Sequence, residues 1–229
     1  MLKFLLMDTC GSQGTVALAA TSLTGASQED PSMAGAVVAT EVLPGRSSSE
    51  RLIPTVRSLL EGQGWRLGQL AAIVVVHGPG SFTGLRVGLS AAKGLSEASG
   101  VPLMAVSRLA LLARGTGRVH AALDAGRGEF YYGEYIDGHC AVEALLTSSQ
   151  MSAAVGSAEM VVCEARVADA LMMLLRVRVV AEPEARDAVV IAMKRIGLGQ
   201  FDDAAVVDAN YLRRPDALLF ARHVEAPEG

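Results

Sequence analysis

Aromatic residues make up only 4% of this 229-residue sequence. A core without them has to be assembled from Ala, Val, Leu, Ile and Met, and at 51% hydrophobic and 19% charged the composition is that of a globular protein. Cysteine is scarce as well: Cys10, Cys140 and Cys163 are far apart and no C-x-x-C occurs. That excludes a disulfide framework and a thiolate metal site and leaves free thiols, as a reducing cytoplasm would keep them. The four histidines, His77, His120, His139 and His223, make no H-x-x-x-H or H-E-x-x-H pair, which removes the usual zinc-hydrolase signatures. No G-x-S-x-G elbow is present either. Positive charge is not in excess, with 20 Lys and Arg against 24 Asp and Glu and a net charge of −4. Affinity for nucleic acid rests largely on phosphate contacts, so any role in RNA chemistry is expected to run through a partner. No run approaches the ~18 apolar residues of a membrane span. The apolar start, Met1 to Met7, is interrupted by Lys3 and stopped by Asp8, too short for a secretion signal.

What is present is an alternation of short apolar runs, glycine-rich turns and amphipathic stretches. Leu2–Met7 predicts a buried strand, residues 8–14 a tight turn and Thr15–Ala20 a return strand. Thr21 to Gly35 reads as a surface loop and Ala36–Leu43 as a third strand. Ser47 and Glu50 have capping-box spacing ahead of a helix with an apolar stripe of Leu52, Val56, Leu59 and Leu60, which Pro54 interrupts. Ala71–Val76 predicts a buried strand, His77 to Gly84 a glycine-rich turn and the following residues a helix to about Ser99. Val101–Val106 reads as a strand, and Ser107 can cap a helix over Leu109 to Ala113. A strand at Val119–Leu123, a turn through Gly126, Arg127 and Gly128, and a strand at Glu129–Tyr135 follow. Two strand–helix units come next, Met160–Cys163 with Val167–Leu175 and Val177–Val180 with Ala185–Ile196. From Asp208 the chain is expected to be irregular or briefly helical.

The second half echoes the first. Leu5-Leu6-Met7-Asp8-Thr9 and Ala121-Ala122-Leu123-Asp124-Ala125 are both apolar strands ending in Asp and a small residue, each followed by glycines and a return strand. The echo suggests two similar units with a boundary near 106/107, that is, residues 1–106 and 107–229, the last residues packing back on the first unit. Turns of this kind present backbone N–H groups to phosphate, and an Asp beside them can orient a hydrated cation. Asp is also common at strand ends simply because it starts turns.

The glycine-rich turn lies between a buried strand and a helix N-terminus, where anions bind. Gly78, Gly80 and Gly84 give G-x-G-x-x-x-G, which fits neither the dinucleotide fingerprint nor a P-loop. Candidate phosphate or cation contacts are therefore Asp8, Gly78, Gly80, Ser81 and Asp124. Along the helix, Gly84, Gly88, Ala91, Leu95 and Ala98 form a stripe of mostly small residues, with Leu85, Leu89 and Ala92 beside it. Glycine inside a helix costs up to ~1 kcal/mol against Ala, so close approach of another backbone would explain Gly88. That backbone belongs either to the chain's own sheet or to another chain.

The stretch Gly78-Pro79-Gly80-Ser81-Phe82-Thr83-Gly84-Leu85-Arg86-Val87-Gly88 with Ala92-Lys93-Gly94-Leu95 resembles the hallmark of the TsaB (YeaZ) family. Met7-Asp8-Thr9, Asp124-Ala125 with Gly128-Glu129-Phe130-Tyr131, and Tyr211-Leu212-Arg213 match in the family's order. The resemblance implies duplicated α/β domains of the actin-like kind (sugar kinase, Hsp70, ribonuclease H-like). It implies a non-catalytic scaffold in making N6-threonylcarbamoyladenosine at position 37 of tRNA. The scaffold would pair with the catalytic TsaD and recruit the ATPase TsaE, through a face containing Gly84, Leu85, Gly88, Leu89, Ala91, Ala92 and Leu95. It implies a possible homodimer through a similar surface, contact with tRNA only within the complex, no cofactor in the isolated chain, and ATP or ADP, where present, at the partner interface. Two departures stand out. A histidine common in the family ahead of Leu52-Ile53-Pro54 is absent, and the family's Asp-Ala-Arg is Asp124-Ala125-Gly126, with Arg127 one place late. The competing expectation is a kinase or ATPase of the same fold using Asp8 and Asp124 around a nucleotide. A peptidase has less to build on, since neither a metal pair nor a nucleophile is apparent.

Overall fold

A computed structural model describes residues 1–21, 37–44 and 48–213. Strands β1 (Leu2–Asp8) and β2 (Gly14–Thr21) form the expected hairpin, with Leu2 opposite Thr21 and Asp8 opposite Thr15. From Phe4 onward β1 is buried on both faces, which is why its sequence is an unbroken apolar run and not an alternating one. Strand β3 (Val37–Leu43) adds antiparallel outside β2. On the other side β4 (Ala72–Val76) and β5 (Leu103–Val106) run parallel to β1, giving the order β3-β2-β1-β4-β5.

Helices α1 (Ser48–Gly62) and α2 (Phe82–Ser99) cover one face of this sheet. Leu52, Val56 and Leu60 of α1 and Leu89 and Ala92 of α2 pack on Leu5, Met7, Leu18, Ile73 and Val75. Pro54 sits inside α1. Ser47 of the expected capping box and the loop expected over residues 22–35 lie outside the described residues.

Helix α3 (Arg108–Leu112), capped by Ser107, leads into a second sheet. Its strands are β6 (Arg118–Gly126), β7 (Glu129–Ile136), β8 (His139–Thr147), β9 (Glu159–Val162) and β10 (Arg176–Val179), in the order β10-β9-β6-β7-β8. As in the first sheet, a three-stranded antiparallel meander is joined to two parallel strands through its first strand. The echo in the sequence is thus a duplication of topology, and the fold is the actin-like, ribonuclease H-like α/β arrangement. Helices α4 (Ser148–Val155) and α5 (Ala165–Leu171) cover one face of the second sheet. Neither β8 nor α4 was anticipated from the sequence.

One contact departs from the expected pairing of elements. The short helical turn over 185–188 and α6 (Val189–Gly197) do not pack on the second sheet beside β10. Ala185, Ala188, Val189, Ala192 and Met193 lie on Phe4, Leu6, Ala17, Ala19, Val74 and Val76, the open face of the first sheet. Residues 201–213 then run as a strap along the first unit. Asp202 N–H donates to the Leu103 carbonyl at the β5 edge, its carboxylate accepts the Ala105 N–H at 2.7 Å, and Lys93 reaches the Val207 carbonyl at 2.7 Å.

Candidate functional site

Asp8 ends β1, Asp124 lies two residues before the end of the equivalent β6, at its register shift, and the two shape the backbone after them in the same way. Asp8 Oδ1 accepts the Cys10 N–H at 2.7 Å, and Asp124 Oδ1 accepts the Gly126 N–H at 2.9 Å. Each is a side-chain turn two residues long, which favours Asp there on local grounds. Each Asp also faces an arginine. Arg108 Nε lies 3.5 Å from Asp8 Oδ2, both side chains being almost wholly buried. Arg166 Nη2 lies 2.6 Å from Asp124 Oδ2 at the surface. Burial pushes the Asp8 carboxyl above its ordinary value, opposed by the positive charge of Arg108 and by the Cys10 N–H. A hydrated cation at either carboxylate would have to share it with a guanidinium already in place.

The turns themselves are also engaged. In the first, Glu182 reaches across from the second half: its Oε1 accepts the Ser12 N–H at 2.8 Å and its Oε2 the Ser12 hydroxyl at 2.6 Å. In the second, Arg213 donates to the carbonyls of Ala125 and Gly126 and pairs with Glu129 at 2.7 Å. Arg127, one place later than in the family pattern, occupies the left-handed apex of this turn at φ 59°. Among the described residues no group of three or more His, Cys, Asp or Glu side chains could hold a metal ion.

The glycine-rich motif docks on the first turn. Ser81 N–H donates to the Cys10 carbonyl, and Ser81 Oγ caps α2 by accepting the Gly84 N–H at 3.3 Å. A Cβ on Gly80 would strike the Cys10 carbonyl, and one on Gly78 would meet Leu85. On the helix, Thr9 Oγ1 donates to the Gly84 carbonyl at 2.5 Å. A Cβ at Gly84 would run into the Thr9 carbonyl and one at Gly88 into the Thr9 hydroxyl. The backbone that these two glycines admit is therefore the chain's own. Leu85, Gly88, Leu89 and Ala92 are likewise buried within the unit. Of the seven residues expected at a partner face, these four and Gly84 are committed inward, and Ala91 and Leu95 are half-buried at its margin. Outward on α2 lie Ser90, Gly94 and Ala98, spaced one turn apart, Ala98 being the end of the expected stripe; among the described residues nothing outside the helix's own neighbouring backbone lies within 4 Å of a Cβ at Gly94.

The strap joins the motif to the second half. The Arg86 guanidinium stacks 3.8 Å over the Phe82 ring and donates to the Tyr211 hydroxyl at 2.8 Å. Asn210 N–H donates to the His77 carbonyl, and its side-chain amide donates to Glu143 on β8 at 2.6 Å. Glu143 also accepts hydrogen bonds from Ser107 and Tyr135. Burial and the Glu143 charge hold the Tyr135 phenol far above its usual range, so it stays a donor. None of Arg108, Glu182, Glu143 or Arg213 was singled out by sequence spacing, because apart from the Tyr135–Glu143 contact their partners lie tens of residues away. The sequence matches did contain one signal: Tyr211-Leu212-Arg213 supplies both Tyr211 and Arg213.

A model of the family "TsaD: tRNA N6-adenosine threonylcarbamoyltransferase" matches residues 37–161, more than half of the chain. The Escherichia coli protein named tRNA threonylcarbamoyladenosine biosynthesis protein TsaB is 38% identical over 96 residues, 39% of this chain and 42% of that one. The Bacillus subtilis TsaB is 39% identical over 94 residues, 39% of this chain and 41% of that one. The matched segments thus span less than half the length of these curated relatives. Among solved structures, YeaZ from Pseudomonas aeruginosa superposes with a TM-score of 0.72 at 27% identity, over 93% of this chain and 100% of that one. A second Pseudomonas aeruginosa structure, described as similar to peptidase YeaZ, gives 0.73 at 29% identity with the same coverage.

Proposed function

The chain belongs to the TsaD-type family by its matched model and, within it, to the TsaB (YeaZ) proteins, and we propose that it serves threonylcarbamoyladenosine synthesis on tRNA as a subunit without chemistry of its own. The observation that carries the non-catalytic reading is the filling of both Asp-led turns by the chain's own side chains. Glu182 takes the donors of the first, Arg213 takes the carbonyls of the second, and arginines neutralise both aspartates. A kinase or ATPase would need these groups free for phosphate and cation. The catalytic step then belongs to a TsaD-like partner, with a TsaE-like ATPase joining the assembly and tRNA reached only through it. ATP or ADP would sit at the seam with the partner and not inside this chain.

The outward face of α2 is the surface we assign to that partner. Ser90, Gly94 and Ala98 let a helix approach closely, flanked by Ala91 and Leu95, and among the described residues nothing outside its own helix crowds Gly94. A second copy of the chain could use the same face in a homodimer and would then compete with the partner. No helix among the described residues is long and apolar enough to cross a membrane, and we assign the protein to the cytoplasm. The test is reconstitution with the cognate TsaD-like and TsaE-like proteins, threonylcarbamoyl-adenylate and unmodified tRNA. Omitting this chain should abolish modification. Full modification without it, or turnover by this chain alone, refutes the reading.

A further inference from the structure

Glu182 follows β10 in the second half of the molecule, yet its carboxylate is seated on the first hairpin turn. It receives three donors: the Ser12 N–H at 2.8 Å, the Ser12 hydroxyl at 2.6 Å and Arg108 Nη2 at 2.5 Å. A main-chain N–H, a hydroxyl and a guanidinium converging on one pair of oxygens form a donor set suited to phosphate- and carboxylate-class anions. The guanidinium is built into the protein. The Arg108 side chain is 3% exposed, and its Nε is buried without a hydrogen-bond partner among the described residues, although Asp8 lies 3.5 Å away. Arg108 therefore retains donor capacity beyond what Asp8 and Glu182 use. Gly11 makes the space: a Cβ there would lie 2.7 Å from Arg108 Nη2 and 2.8 Å from Glu182 Oε1. Beside this contact, Thr15 Oγ1 accepts the Ala185 N–H at 2.8 Å, so the segment is pinned to the hairpin at two points.

We propose that Glu182 is an internal ligand: its carboxylate fills an oxyanion site formed by Ser12 and Arg108, and in doing so fastens the second half of the chain to the first turn. While Glu182 is seated, the turn is closed to free anions. Without its carboxylate the same donors take a phosphate-class anion. This proposal shares the Glu182 contact with the non-catalytic reading above, and it is tested on the isolated chain, so that its failure is distinct from a failure of reconstitution.

Two measurements decide it. The first is amide hydrogen exchange in the wild-type full chain and in Glu182→Gln, which keeps the shape and loses the charge. Hydrogen bonds to charged groups are strong, so Ser12 N–H should exchange about tenfold or more slowly in the wild type, while the amides of Phe4 and Leu6 stay equal in both. Equal Ser12 rates in the two proteins overturn the proposal. The second is thermal unfolding of wild type and Glu182→Ala over a range of inorganic phosphate, sulfate and ADP at constant ionic strength. The variant should gain Tm with phosphate and sulfate by mass action, and the wild type should not. Greater potency of ADP than of phosphate assigns the anion to a nucleotide; equal potency assigns it to the free ion. A folded variant that gains nothing, or a wild type that gains as much, overturns the proposal. If Glu182→Ala fails to fold, the exchange comparison decides alone.

Discussion

Gly88 of α2 lies directly against Thr9, so that the Thr9 hydroxyl occupies the space a side chain at position 88 would need. The Thr9 hydroxyl also donates to the Gly84 carbonyl, which holds the helix and the first turn in a single arrangement. Gly88→Leu is expected to unfold the protein. Four added carbons would be driven into Thr9 and Val75, at or beyond the ~3 kcal/mol upper end of ordinary overpacking. Circular dichroism and solubility on expression check this. A folded variant with a wild-type melting curve would contradict the packing.

Gly94→Leu should behave in the opposite way. Among the described residues nothing outside its own helix lies within 4 Å of its Cβ position, and Leu is the better helix former, so stability should rise by about 0.5–1 kcal/mol. On the proposed interface the same variant should lose capture of the TsaD-like partner and, with it, tRNA modification. A more stable variant that still binds its partner would move the interface off this face of α2.

Asp8→Asn removes one of the two carboxylates that balance the buried Arg108. Breaking a buried pair from one side leaves a poorly compensated charge, and a loss of about 3 kcal/mol is expected in denaturant melts. The kinase reading makes a different prediction: little change in stability and loss of nucleotide turnover.

Stability should fall as the solution is acidified below pH ~6.5, the ordinary histidine value. Burial holds His77 below that value, against the pull of the Asp208 carbonyl and the Glu143 charge. The sign follows from proton counts: once pH drops below the unfolded value, the unfolded chain binds a proton that the folded one does not, and unfolding is favoured. The loss continues until pH passes the depressed folded value. His77→Asn should reduce the slope of stability against pH just below the ordinary histidine value, by at most ~1.4 kcal/mol per pH unit for one proton. An unchanged slope would mean that His77 titrates normally.

How much of this was legible in the sequence depends on the range of the interaction. The strand–turn–strand units at Leu2–Thr21 and Arg118–Ile136 were readable because apolar runs and Asp-led turns are local signals, and both turns do use the Asp carboxylate alike. Strand β8 was missed because His139–Thr147 is an edge strand whose first four residues are exposed and which mixes Ala, Leu and Glu, so no clean alternation marks it. The helix near 189–197 was found, but periodicity says only that it has an apolar face and not which sheet that face will meet. Glycine showed that something approaches α2 closely and left open whether that was the chain's own sheet or another chain; it is Thr9, the residue after β1. Glu182 and Arg108 carry no local pattern at all, since their partners lie far away along the chain, and Arg213 was marked only by the match Tyr211-Leu212-Arg213.

The return of residues 185–193 to the first sheet has a consequence for synthesis. Phe4, Leu6, Val74 and Val76 present an apolar face as soon as β1, β4 and β5 have assembled, but the residues that cover it are translated roughly eighty positions later. At typical elongation rates that leaves a naked sheet on the nascent chain for roughly 5–15 s. During that interval the growing polypeptide is a natural client for a ribosome-associated chaperone, and a message truncated after β5 would yield a sticky product and not a self-sufficient half.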